Sequence, residues 1–166
     1  SLTTVTISNG VESIGESAFR DCTSLTTVFI PASVTNIGGS AFAGSQMKEI
    51  LVDENNSYYR SIDGVVYTKD LSTLVMCPIG KAGALVIPDG VTAFESGEFR
   101  GPLCDCEKLT SVTIPSSVTA TSFLKITEIP GEPTQRYTWG AFRNCSGLTS
   151  AGPMGSGCDI EFGWTS

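Results

Sequence analysis

The fold of this chain is decided by one stretch, LTTVFIPASVTNIGGSAFAGS, which occupies residues 25–45. Val28 and Ile30 are separated by one residue, so they point to the same side of an extended strand. The threonines beside them favour extended backbone, and Pro31 then ends the strand. A second apolar group brings the chain back on the far side, and its members are Val34, Ile37, Ala41 and Phe42.

The same pattern recurs along the chain, and its first three copies stand 22 or 23 residues apart. Leu2 stands 23 residues before Leu25, and Met47 stands 22 residues after it. Recurrence at a fixed step of this size is the signature of a repeat array. We therefore interpret residues 1–166 as a single array whose repeats begin near residues 2, 25, 47, 82, 109 and 148. Because residue 1 already lies inside a repeat, we expect the chain to be a piece of a longer protein.

One repeat cannot bury its own apolar face, but stacked repeats can. We expect a solenoid in which the Val-x-Ile segments lie side by side in a parallel sheet. The repeated Ala-Phe pair would form a short helical turn, and Gly15 and Gly38 would provide tight bends. A ladder of aromatic rings is predicted inside the array, formed by Phe19, Phe42, Phe99 and Phe142.

The repeats resemble the BspA-like leucine-rich repeats of bacterial surface proteins. The shared pattern is L-T-S-V-T-I-P-x-S-V-T-x-I-G-x-x-A-F-x-x-C, and residues 25–45 and 109–118 follow it most closely. The resemblance implies an α/β-type leucine-rich-repeat solenoid, mostly β and irregular. It implies a right-handed curved array with the parallel sheet on its concave face, on a secreted or cell-surface protein. The family is associated with adhesion and protein binding and has no shared catalytic residue.

Two insertions interrupt the array, and both are expected to protrude. The first, about residues 53–83, contains two β-like runs, Val65–Thr68 and Leu74–Cys77, which predict a hairpin. Its aromatic residues could dock a partner, or the hairpin could be a spacer; they are Tyr58, Tyr59 and Tyr67. The second, about residues 120–139, carries Tyr137 and Trp139 and is either a binding loop or a tolerated surface elaboration.

The concave sheet offers a second candidate for binding. If Val5 and Ile7 point inward, the residue between them points outward, and the same position in later repeats forms a column. This column reads Thr6, Phe29, Leu51, Val86 and Thr113. Three adjacent apolar residues on an exposed sheet form a candidate contact site. Alternatively, they pack beneath the first hairpin or only against one another.

Composition excludes several classes of function. A net charge of −7 without a basic cluster disfavours nucleic acid and anionic membranes, and no apolar run is long enough to insert into a bilayer. The absence of histidine excludes histidine-based relays and metal sites. The six cysteines form no CxxC pair, so we expect buried apolar side chains before disulfides or zinc ligands. We predict no enzyme activity and no cofactor.

Two functions agree with these observations. The first is a secreted or cell-surface module that binds a host or bacterial protein or glycan through the concave sheet and the hairpins. The second is an architectural stalk with no ligand of its own. Because no polar capping segment is present at either end, end-to-end association of uncapped repeats is a further expectation.

Overall fold

A computed structural model of the chain describes residues 2–95, 101–118, 145–148 and 150–151. These residues form eleven strands and no helix, arranged as a β-solenoid with a front layer, a back layer and a three-stranded meander. The front layer contains β2 (Thr27–Ile30), β4 (Glu49–Val52), β8 (Gly83–Val86), β10 (Leu109–Thr113) and β11 (Ser150–Ala151). The back layer contains β1 (Ser13–Ile14), β3 (Asn36–Ile37) and β9 (Ala93–Phe94). The meander contains β5 (Tyr59–Ile62), β6 (Val65–Thr68) and β7 (Thr73–Met76).

The front strands are parallel, and their register places equivalent positions of neighbouring repeats opposite each other. β2 pairs with β4 so that Val28 lies opposite Ile50, and β8 pairs with β10 so that Leu85 lies opposite Val112. These four side chains point inward and are at most 2% exposed. Equivalent repeat positions therefore stack coil upon coil, as the sequence predicted.

The back layer repeats this arrangement on the opposite side of the core. β1 and β3 are parallel, with Ile14 opposite Ile37, and both side chains are buried. The Ala-Phe pairs that follow lie in hydrogen-bonded turns rather than in helix. The predicted helical turn is therefore wrong here, because a 22- or 23-residue coil returns to the front layer through turns alone.

The predicted aromatic ladder is present where the structure describes it. The rings of Phe19 and Phe42 are stacked, with centroids 5.3 Å apart and planes 6° from parallel. Phe42 is buried, whereas Phe19 is half-buried because it belongs to the first coil. Phe99 and Phe142 lie outside the described residues.

Gly38 has a different role from the one the sequence suggested. Neither Gly15 nor Gly38 has the positive φ that a tight bend would need. Gly38 instead lies against the preceding coil, where a Cβ atom would be 2.5 Å from the nitrogen of Glu16 and 2.9 Å from the carbonyl carbon of Gly15. Glycine is required because the backbones of two coils approach closely.

The first insertion contains the predicted hairpin but does not protrude. β6 pairs antiparallel with both β5 and β7, and β7 joins the back layer beside β9. Val65 and Tyr67 belong to the core of the second half of the array, while Val66, on the opposite face of the same strand, belongs to the core of the first half. The meander is thus an internal wall shared by two apolar cores.

The cysteines of the described part behave as buried apolar side chains, as predicted. Cys77, Cys104, Cys106 and Cys145 are at most 7% exposed, and Cys22 is half-buried in the first coil. No disulfide joins these five residues. Cys158 lies outside the described residues.

Candidate functional site

The front layer presents an apolar pair to solvent. Along β2 the side chains alternate, so that Val28 and Ile30 are buried while Phe29 between them is 48% exposed. Leu51 lies opposite Phe29 on β4 and is 41% exposed. Thr6 is bridged to Phe29 on the other side. We call Phe29 and Leu51, with Thr6 at their border, the front patch.

The predicted column does not continue from the front patch to Val86. The edge of β4 is occupied by the turn between β5 and β6, because the Ile50 N–H donates to the Gly64 carbonyl at 2.9 Å and the Val52 N–H donates to the Ser61 hydroxyl at 3.1 Å. β4 and β8 are therefore in separate sheets. The expectation of three adjacent apolar residues is wrong, since the meander turn separates the third.

Val86 is another exposed apolar residue of the front layer, and it lies beyond this turn. It is 66% exposed and lies opposite Thr113 on β10. The side chains of the five-residue column thus all belong to the front layer, but they form two groups. The first hairpin covers neither Phe29 nor Val86. The alternative that the column is buried beneath this hairpin is therefore wrong.

The turn that separates the two groups is fixed by local chemistry. Asp63 and Gly64 both have positive φ, 51° and 75°, as a two-residue type I′ turn requires. The ammonium of Lys81 donates to the Asp63 carbonyl at 2.6 Å and contacts its carboxylate at 2.8 Å. Gly64 is also pressed against Glu49, so a side chain there would collide with β4.

The tyrosines of the meander fall into three environments. Tyr58 is 54% exposed, and Tyr59 is half-buried with its hydroxyl donating to the Thr35 carbonyl at 3.3 Å. Burial raises the pKa of Tyr59, against a smaller opposing effect of a backbone hydrogen bond. Tyr67 is 1% exposed, and burial raises its pKa well above the ordinary value.

Tyr67 is therefore a core residue and cannot contact a partner on the surface of the folded chain. The prediction of a docking face made by three tyrosines is corrected to Tyr58 and the exposed part of Tyr59. The physical reason is that β6 is buried on both faces. The sequence carried a signal of this in the continuous apolar run Val65-Val66-Tyr67, because a strand that is covered on both faces lacks the alternation of apolar and polar residues. Tyr137 and Trp139 lie outside the described residues.

Asn56 is a structural residue that the repeat pattern could have revealed. It stands 22 residues after Val34, at a position where other repeats carry valine, and it is fully buried. Its amide donates to the carbonyls of Pro31 and Val34 at 2.9 Å each and accepts from the N–H groups of Tyr58 and Tyr59 at 2.8 Å each. These four bonds anchor the start of the meander beside the front patch.

The described residues hold no group of three or more acidic, histidine or cysteine side chains placed to bind a metal ion. The Cys106 thiol is a poor nucleophile, because a hydrogen bond to Cys77 and burial both favour its protonated form and raise its pKa. No helix in the described part is long and apolar enough to cross a membrane.

Stacked coils, parallel strands in repeat register and an apolar interior define a leucine-rich-repeat solenoid. Residues 1–69 match the family described as "BspA type Leucine rich repeat region (6 copies)". Residues 1–69 are therefore similar to BspA-type leucine-rich repeats, which confirms the resemblance seen in the sequence.

Two solved structures extend the comparison. A leucine-rich cell surface protein from Faecalibacterium prausnitzii A2-165 is 35% identical with a TM-score of 0.59, and the match covers 71% of this chain and 31% of that chain. The pneumococcal vaccine antigen PcpA is 23% identical with a TM-score of 0.52, and the match covers 65% of this chain and 32% of that chain. This chain thus spans about a third of each. No match was found among curated proteins.

Proposed function

We propose that this chain is a cell-surface interaction module that binds a protein partner through the front patch. The observation that carries the proposal is the in-register pair of Phe29 and Leu51, each nearly half exposed on a sheet whose opposite face buries Val28, Ile30 and Ile50. A large aromatic and a large aliphatic side chain on a rigid backbone lose little conformational entropy on binding. Aromatic anchors of this kind dominate protein interfaces.

The chemistry of the patch favours a protein over a glycan. Glycan sites combine an aromatic platform with polar groups that recognise hydroxyls, whereas the two cross-strand neighbours of Phe29 are the apolar Leu51 and Thr6. The exposed Tyr58 supplies an aromatic side chain with a polar end at the start of the meander. A glycan ligand is the alternative outcome of the test below.

The surface location is also part of the proposal. It is supported by the family of the repeats and by the 35% identity to a protein that is itself described as a cell surface protein. Binding rather than catalysis agrees with this similarity to leucine-rich repeat proteins of the cell surface. A host or a bacterial partner is compatible with this chemistry.

A binding screen with matched variants tests the proposal. The purified chain is screened against a panel of extracellular proteins and a glycan array, and hits are measured again with the double variant Phe29→Ser/Leu51→Ser. Loss of an aromatic and an aliphatic anchor is expected to weaken protein binding at least about tenfold. Val86→Ser is the control, because it removes an exposed apolar side chain beyond the meander turn.

The front patch is not the site if the double variant has the same Tm as the wild type and still binds every protein found in the screen with unchanged affinity. Glycan hits that depend on Phe29 would replace the protein partner with a sugar. If the wild-type chain binds nothing in either screen, the architectural stalk is favoured. The observation that supports a stalk is the head-to-tail stacking of the coils.

A further inference from the structure

Two buried thiols from different coils meet inside the array. Cys77 follows β7 where the meander returns toward the front layer, and Cys106 belongs to the next coil. They are 4% and 0% exposed and lie in the same apolar core. The backbone of this region is already tied together, because the Cys77 N–H donates to the Pro102 carbonyl at 2.9 Å.

The sulfur atoms of this pair share one neighbouring oxygen atom. Each Sγ lies 3.8 Å from the same acceptor, the carbonyl oxygen of Pro78. Cys77 is also a hydrogen-bonding neighbour that raises the pKa of the Cys106 thiol. Two sulfur atoms that lie against one carbonyl oxygen, on side chains from separate coils, are placed for a covalent link between those coils.

The neighbouring cysteines are held by other groups. The sulfur of Cys104 accepts a hydrogen bond from the Gly101 N–H at 3.2 Å. The thiol of Cys145 donates to the Leu103 carbonyl at 3.0 Å. Cys145 lies close enough to Cys106 for the two to interact electrostatically, so it is the competitor that an experiment must separate.

We propose that Cys77 and Cys106 form a disulfide when the chain folds in an oxidising compartment, and that this bond fastens the meander to the following coil. The oxidant is a disulfide, either a small-molecule disulfide or that of a thiol oxidase. One thiolate attacks the oxidant and the second resolves the mixed disulfide, so that the Cys77–Cys106 bond forms while the bond of the oxidant breaks to give two thiols. Two electrons and two protons pass to the oxidant.

The step takes place before the two coils close over the thiols. In the folded chain both sulfurs are buried, and thiolate is scarce because the pKa of Cys106 is raised. Exchange needs a thiolate and access to it. The folded, reduced chain is therefore slow to oxidise, and the bond once formed is equally protected from reductants.

Oxidative refolding followed by peptide mapping tests the proposal on the wild-type chain. The reduced, denatured chain is refolded in oxidised and reduced glutathione, free thiols are alkylated under denaturing conditions, and the digest is analysed without reduction. A linked peptide pair containing Cys77 and Cys106, absent after reduction, is expected. A link from either residue to any other cysteine, or alkylation of both, overturns the proposal.

Variants supply the control and a second readout. Cys104→Ser removes an equally buried thiol two residues from Cys106 and is expected to keep the bond, whereas Cys77→Ser loses it. Closing a loop of about 30 residues is expected to raise the Tm of the oxidised wild type by roughly 10 °C over its reduced form. Equal Tm values for the oxidised and reduced wild type contradict the proposed fastening.

Discussion

Replacing Gly38 by alanine tests how closely consecutive coils of this array approach each other. The change adds one methyl group without demanding an unusual backbone conformation, because φ of Gly38 is not positive. The added Cβ would lie 2.5 Å from the nitrogen and 2.6 Å from the Cα of Glu16 in the preceding coil. These neighbours are backbone atoms, so no side chain can move aside to relieve the contact.

The size of the effect follows from these distances. Ordinary contact with a Cβ begins at 3.4 Å, so the two coils must separate locally by about 0.9 Å. The Gly38 N–H donates to the Ile14 carbonyl at 2.8 Å, and such a separation would stretch this bond beyond hydrogen-bonding distance. Overpacking costs about 1–3 kcal/mol and the lost bond about 1 kcal/mol. We expect a loss of about 2–4 kcal/mol in the free energy of unfolding.

Gly15→Ala is the matched control for this experiment. Gly15 occupies the same repeat position one coil earlier, its φ is not positive, and a Cβ there meets nothing within 4 Å. We expect its effect to stay within about 0.5 kcal/mol. Urea unfolding followed by circular dichroism measures both variants. If Gly38→Ala unfolds like the wild type, or if Gly15→Ala is equally destabilised, the close approach of the coils at Gly38 is refuted.

Three further changes test other parts of the array. Ser45 is 1% exposed and its hydroxyl has no hydrogen-bond partner among the described residues, so Ser45→Cys is expected to raise the free energy of unfolding by about 1 kcal/mol; a lower urea midpoint would contradict this. Asn56→Ala removes four hydrogen bonds from a buried site and should cost about 2–4 kcal/mol, whereas the exposed Asn55→Ala should change the midpoint little. Burial raises the pKa of Tyr67, so the folded chain keeps this phenol protonated while the unfolded chain ionises above about pH 10. The free energy of unfolding should therefore fall as the pH rises past that value, by up to about 1.4 kcal/mol per pH unit for this group. Tyr67→Phe should make the decline of Tm between pH 9 and 11 less steep. If the variant shows the same decline as the wild type, ionisation of Tyr67 is not a cause of it.

The sequence was sufficient for the inward and outward sides of each front strand. The alignment of equivalent positions in successive repeats sets the register, and a strand alternates its side chains with a period of two residues. These two periodicities place Val28 and Ile50 in the core and Phe29 and Leu51 on the surface, as the structure shows. Both follow from intervals along the chain and need no knowledge of distant contacts.

The sequence misplaced the meander because its position depends on contacts with strands far along the chain. The runs Val65–Thr68 and Leu74–Cys77 predicted a hairpin from local pattern and turn chemistry. They could not show that the turn at Gly64 pairs with β4, and this pairing buries Tyr67 and separates Leu51 from Val86. Tyr67 was therefore wrongly assigned to a docking face, while Tyr58 is exposed as expected.

The sequence by itself determined that this chain is a solenoid of leucine-rich repeats, since a repeated apolar pattern can be buried only by stacking its copies. Only the tertiary structure decided which exposed side chains adjoin, why Gly38 must lack a side chain, and that the sulfurs of Cys77 and Cys106 lie against the same carbonyl oxygen. These features depend on distances between coils. Such distances are set by how neighbouring coils pack against each other, and the spacing of residues within one coil does not determine that packing.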